Sequence, residues 1–161
     1  MTKFFLILHV LAAVIAVGPV AVAGSMFPPA ARKAAVIPGS ADTVAAVRVL
    51  HRICRVYAVA GLAVPVFGFA TASSLHVLGS PWLITSIALT GIAAVVLALM
   101  VLPTQATILA GLTGSASSAV QAGRLNRPPV QRLVALTGAF NLLWAAVTIL
   151  MIVRPGSTTG V

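Results

Sequence analysis

Four long apolar stretches alternate with short polar segments along this chain. They cover approximately residues 4–26, 49–72, 81–103 and 131–153. Each reaches the roughly 20 residues that a helix needs to cross about 30 Å of hydrocarbon. The pattern predicts an all-α polytopic membrane protein, a four-transmembrane-helix bundle forming a single domain over residues 1–161. Punctuation refines the elements. Gly18 and Pro19 predict a bend in the first span, and Ser25-Met26-Phe27-Pro28-Pro29 reads as a hard stop. A short basic loop follows over residues 30–39. Ser40 then caps a helix with Asp42 in its first turn, complementing the dipole. Pro65 is expected to kink the second span. Residues 73–80 form a short uncharged loop, and Ser80-Pro81 is a good helix start. The third span is expected to end near Pro103. Residues 104–129, rich in Ser, Thr, Gly and Gln, read as the longest loop, and residues 156–161 as a tail without an apolar anchor.

Composition agrees. Mean hydropathy is +1.14. Only 7% of residues are charged, where a soluble domain has about 25%. Ten Lys and Arg face one acid, Asp42, for a net charge of +9. Nucleic acid is excluded as a partner, because the cations flank spans and no aromatic–basic platform accompanies them. Anionic phospholipids are the natural partner. The cations are also one-sided. Arg32, Lys33, Arg48, Arg52, Arg55, Arg124, Arg127 and Arg132 belong to the first and third loops and adjoining helix ends, against Lys3 and Arg154 on the other side. Positive charge stays cytoplasmic, so a bacterial inner (cytoplasmic) membrane protein with both termini outside is expected. Trp82 then sits at the outer interface. The first span has an Ala-x-Ala site at Ala21-Val22-Ala23, but its length and the charge rule favour a retained span over a cleaved signal peptide. The single Cys54 forbids an internal disulfide.

An internal similarity divides the chain into two helical hairpins. Leu8-His9-Val10-Leu11 recurs as Leu75-His76-Val77-Leu78, and Arg55–Gly61 parallels Arg132–Gly138. Chance similarity in a biased composition is the alternative. Ala12/Ala16, Gly68/Ala72, Thr90/Ala94/Ala98 and Ala135/Ala139 fit the small-xxx-small spacing of close helix contacts. The same faces suit packing within the bundle or docking onto another membrane protein.

Chemistry has few residues to draw on. The spans hold no carboxylate, which removes the usual proton relay, carboxylate-coupled ion site and paired-acid catalyst; no enzyme is expected. His9, two turns into the first span, and His76, in the outer loop, are the candidate cofactor-binding residues. Together they can offer two axial nitrogens to haem or two ligands to copper. The plain reading is a hydrogen-bonded interfacial His9 and a solvated His76, with no cofactor and no metal site. His51 lies beside the Arg48, Arg52 and Arg55 stripe and reads as part of a headgroup-binding face. That stripe, with Arg32 and Lys33, is the candidate surface for a partner or for lipid headgroups. Thr137 and Asn141 form an intramembrane polar contact, with Ser86 and Thr90 as expected partners. It either fixes helix packing or meets a lipid or quinone headgroup.

The stretch Leu8-His9-Val10-Leu11-Ala12-Ala13-Val14 resembles the opening helix of small bacterial four-span proteins. These are distantly similar to the copper-resistance D and haem-pathway J-type membrane proteins, where an early Leu-His-x-Leu continues into Trp-x-Gly-Gly. Here that position reads Val17-Gly18-Pro19, without the Trp. The Ala, Val, Gly and Arg bias also resembles actinobacterial membrane proteins. The resemblance implies a haem or copper role for His9. Small size, little room for a soluble domain and the absence of buried ionisable chemistry suggest instead a non-enzymatic accessory or regulatory small subunit. Its partners would be other integral membrane protein subunits of a larger inner-membrane complex. A lipid or fatty-acid transporter is favoured as host over a respiratory complex. The alternatives are a haem- or quinone-binding membrane redox protein using His9, and a small transporter that would need self-association to form a path.

Overall fold

Where water is scarce, a backbone must satisfy its own hydrogen bonds, and helices do so within one segment. The computed structural model describes residues 2–37, 39–114 and 128–155, and every element among them is helical. The order is α1 (Thr2–Val36), α2 (Ala41–Ala60), α3 (Ala63–Ser74), α4 (Pro81–Val95), a π-helical stretch (Val96–Val101), α5 (Leu102–Thr113) and α6 (Pro128–Val153). They make four rods long and apolar enough to cross a membrane. These rods are α1, α2 with α3, α4 through α5, and α6. The all-α four-helix bundle predicted from the apolar runs is the observed fold. α1 packs along α2 and α3, α4 packs on α6, and α1 and α5 close the bundle against α6 and α2. One end gathers the C-terminal ends of α1 and α5 and the N-terminal ends of α2 and α6; it is called the basic end below.

Two predicted stops are helix interiors. α1 continues through Pro28 and Pro29 to Val36, so Arg32 and Lys33 stand on a helix and not in a loop. Residues 30–36 are mostly Ala, Arg and Lys, strong helix formers. Phe27, Ala31 and Ala34 form a buried stripe at helical spacing that joins the main core with Val47. Burial of that stripe outweighs two missing N–H donors. The helix likewise runs on past Pro103 to Thr113, so much of the predicted loop is helical. A proline normally clashes with the carbonyl four residues back. Here the π-helical stretch ends immediately before it, with Leu102 N–H donating to the Leu97 carbonyl five residues back. That wider turn accommodates the ring. Residues 115–127, with Arg124 and Arg127, and the tail 156–161 lie outside the described residues.

Other punctuation acts only in part as expected. Helical structure is interrupted at Gly61 and Leu62, between α2 and α3. Pro65 has no N–H to offer Gly61, whose carbonyl instead accepts from Val64 N–H at 3.1 Å. Ser80 precedes α4 with Pro81 in its first turn, and Asp42 lies in the first turn of α2. Ser40 precedes α2 without the side-chain capping hydrogen bond expected of it, and at Gly18 and Pro19, where a bend is expected, α1 continues as helix.

The small-residue stripes divide. Ala16 and Ala72 are buried as predicted, but Ala94, Ala98, Ala135 and Ala139 are exposed. The contact face of α4 and the π-helical stretch carries Ser86, Ala93 and Leu97 instead, and that of α6 carries Leu133, Thr137 and Phe140. Of the repeated sequences, Arg55–Gly61 and Arg132–Gly138 both start from the basic end. The two Leu-His-Val-Leu copies have unlike settings, one inside α1 and one at the α3–α4 turn.

Candidate functional site

His9 sits on α1 against α3. Its Nδ1 is 2.9 Å from the Val64 carbonyl oxygen. A carbonyl only accepts, so Nδ1 carries a proton and donates it. The ring fits because residue 68 is glycine: a Cβ there would come 2.9 Å from His9 Cε1 and 3.1 Å from Nδ1. Gly68 is thus the seat of an imidazole.

His76 is exposed and lies beyond the end of α3, about 9 Å of helical rise past Gly68 at Ser74. It has φ of 56° and ends α3 in a Schellman turn. Val77 N–H donates to the Ala72 carbonyl at 3.2 Å and His76 N–H to the Ser73 carbonyl at 3.1 Å. That position usually holds glycine. His76→Gly is therefore expected to keep the fold and raise stability by up to about 1 kcal/mol, read as a higher midpoint of thermal unfolding in detergent. A fall in the midpoint would give His76 a part in binding or packing that this geometry lacks.

At the basic end, the sequence missed a polar cluster. Gln105, fully buried on α5, lies with Oε1 3.1 Å from His51 Nδ1. It donates from Nε2 to Cys54 Sγ at 3.5 Å. His51 and Cys54, three residues apart on α2, therefore face α5. His51 does not belong to the arginine face, contrary to the expectation from its neighbours. Arg48, Arg52 and Arg55 are all exposed, as are Arg32 and Lys33 on α1. No group of three or more His, Cys, Asp or Glu side chains suited to a metal occurs among the described residues.

Asn141 finds Ser25 on α1, donating from Nδ2 to Oγ at 3.2 Å, and not Ser86 or Thr90. Those two donate to carbonyls four residues back, Trp82 and Ser86, each at 2.8 Å. Hydroxyls in apolar surroundings commonly turn to their own helix in this way. Gly24 brings α6 onto α1; a Cβ there would stand 3.2 Å from Thr137 Cγ2. Thr137 Oγ1 and Asn141 Oδ1 are enclosed with no hydrogen-bond partner among the described residues.

At the opposite end Trp82 is buried, packed with Ala72, Leu83 and Met151, and the Arg154 guanidinium lies 5.7 Å from the ring centroid. The predicted interfacial Trp is thus a packed one, capped by a cation. No protein family, curated protein or solved structure matches the chain.

Proposed function

We propose that this chain is a non-enzymatic accessory or regulatory subunit of a larger membrane complex. The observation that carries this reading is the pair of small-residue faces the bundle leaves unused. Gly91, Ala94 and Ala98 on the α4 rod, and Ala135, Gly138 and Ala139 on α6, are exposed. Nothing lies within 4 Å of where a Cβ at Gly91 or Gly138 would be. In lipid, faces of this kind let another helix come close. The positive-inside rule places the basic end in the cytoplasm and both termini outside the inner membrane. Anionic headgroups meet the Arg48, Arg52 and Arg55 face. A lipid or fatty-acid transporter is the favoured host, ahead of a respiratory complex.

A second reading rests on His9. Its Nδ1–H is held by a backbone carbonyl, the usual way a ligating imidazole is oriented. His9 fits one axial nitrogen for haem. His76, at another level, is poorly placed for a second.

Affinity purification of the tagged chain from native membranes in mild detergent tests both. Larger membrane subunits are expected at fixed stoichiometry in a colourless sample. A lone, stable, functional protein would overturn the accessory reading. A Soret band abolished by His9→Ala would establish the second.

A further inference from the structure

Hydroxyl groups on the helices of this chain follow one habit. Thr71, Thr90, Thr104 and Thr148 each donate to the carbonyl four residues back, at 2.6 to 2.8 Å. Such a bond needs no partner outside the helix and satisfies the hydroxyl in apolar surroundings. Thr137 breaks the habit. It is 4% exposed, and its Oγ1 is enclosed with no hydrogen-bond partner among the described residues. Four residues on, Asn141 Oδ1 is enclosed and unpartnered in the same way. Asn141 uses its Nδ2 end on Ser25 Oγ, and Ser25 lies on the exposed side of α1. The amide thus turns its donor end to the rim of the α1–α6 contact and its acceptor end to the enclosed side.

Two orphaned polar atoms on one helix face define a place. Residues at i and i+4 have Cβ atoms about 5–6 Å apart. One small molecule can bridge that separation with a hydrogen bond of roughly 2.8 Å to each side. The facing residue on α1 is Gly24. A Cβ there would lie 3.2 Å from Thr137 Cγ2 and 3.9 Å from Oγ1. Apart from Gly24's chain neighbours and the backbone of its own helix, no other atom among the described residues would come within 4 Å of it. The absence of a side chain at Gly24 therefore leaves room beside the Thr137 hydroxyl.

Chemistry selects the occupant. Asn141 Oδ1 has lone pairs and calls for a donor, while the Thr137 hydroxyl carries a proton and calls for an acceptor. Water is both. Turning the amide over would put Nδ2 inside, and water accepts as readily as it donates. A cation fits the lone pairs but not the hydroxyl proton, and it meets no opposite charge. Asp42, the only acidic side chain of the protein, lies in the first turn of α2, and a lone charge among apolar helices is unfavourable. Enclosure shuts a lipid or quinone headgroup off from both atoms. An unmatched polar group in hydrocarbon is strongly disfavoured, whereas a water with two or more polar partners is a regular part of a protein interior.

We propose that Thr137 and Asn141 hold a resident water where α6 meets α1 at Gly24. α1 belongs to the first hairpin and α6 to the second, so this water and the Asn141–Ser25 bond tie the two halves together between those helices. The proposal stands apart from the accessory-subunit reading and from any haem at His9.

The test is water–protein cross-relaxation, measured by NMR on the full chain in micelles. Expected are water cross-peaks to the Thr137 methyl and Asn141 β protons, with the sign of a bound molecule. The Thr90 methyl, whose hydroxyl bonds its own helix, serves as the reference and should show none. Asn141→Leu should abolish the Thr137 peak although that hydroxyl is retained; a persistent peak would come from exchange of the hydroxyl proton and would overturn the proposal. Thr137→Val keeps the shape and removes the hydroxyl, and should raise the unfolding equilibrium constant about fivefold. Combined with Asn141→Leu it should cost less than the two single changes together, because one water serves both residues. An unpartnered hydroxyl predicts the reverse, a constant unchanged or lowered by Thr137→Val. That result, or no cross-peak in the parent chain, would overturn the proposal. So would stability that rises with sodium chloride but not choline chloride and loses this response in Asn141→Leu, which would assign the site to a cation.

Discussion

Phe27→Ala is expected to cost the fold about 3–5 kcal/mol, the range for removing an enclosed aromatic side chain from a packed core. Phe27 is completely buried and shares one cluster with Ala31, Val47, Ile108 and Leu133, so its ring joins the core of α1 to residues of α2, α5 and α6. Alanine leaves a void inside that shared cluster. The measurement is reversible unfolding in mixed micelles. Two controls make the same chemical change elsewhere. Phe4 and Phe69 are 62% and 60% exposed, and their alanine variants should fall within about 0.5 kcal/mol of the parent. If Phe27→Ala proved as mild as the controls, the basic end would not be as tightly packed as its burial indicates.

Phe27 also shows what the sequence displayed and what it hid. The four apolar runs were legible because length and hydropathy act locally, and so were the helix starts at Ser40 and Ser80, although neither serine side chain makes a capping hydrogen bond. So was the break that Pro65 makes in the second rod. The ends of α1 and α5 were not. Pro28, Pro29 and Pro103 are strong local signals, and here tertiary packing overrules them. The information was present as periodicity: Phe27, Ala31 and Ala34 keep a helical spacing straight through the prolines, and Val101, Ile108, Leu109 and Leu112 do the same around Gln105. Weighing a missing N–H against a buried stripe requires knowing that a facing helix exists. Partner choice was hidden for the same reason. Ser86 and Thr90 were natural candidates for Asn141, but only the approach of α6 at Gly24 shows that Ser25 is opposite. His9 was legible as an unusual residue, though nothing local linked it to Gly68 or Val64, more than fifty residues away.

Gln105 is the most consequential residue that local reading passed over, and its removal should be felt well beyond its own position. Its amide is the fully buried link between His51 and Cys54 on α2 and the backbone of α5. Gln105→Ala removes that link and opens a cavity, for an expected loss of about 2–4 kcal/mol. Gln105→Leu fills the space but leaves His51 Nδ1 facing an apolar side chain, for about 1–3 kcal/mol. The two contacts are unequal. A thiol sulfur 3.5 Å away is a weak acceptor, so Cys54→Ala in the Gln105→Leu background should add little that depends on the amide. Pairing Gln105→Leu with His51→Phe should recover about 1 kcal/mol or more of the loss, because the two groups form one interaction and their effects do not add. The dynamic consequence is local. α5 follows the π-helical stretch and carries Pro103 in its first turn, where backbone hydrogen bonding is already rearranged, so the clamp to α2 helps to hold it. Amide exchange along residues 102–113 should therefore accelerate in Gln105→Leu before exchange in the α1–α3 contact changes. A neutral Gln105→Leu variant with unaltered exchange would mean that packing alone holds α5 in place, and that the cluster is a consequence of the basic end's assembly and not one of its causes.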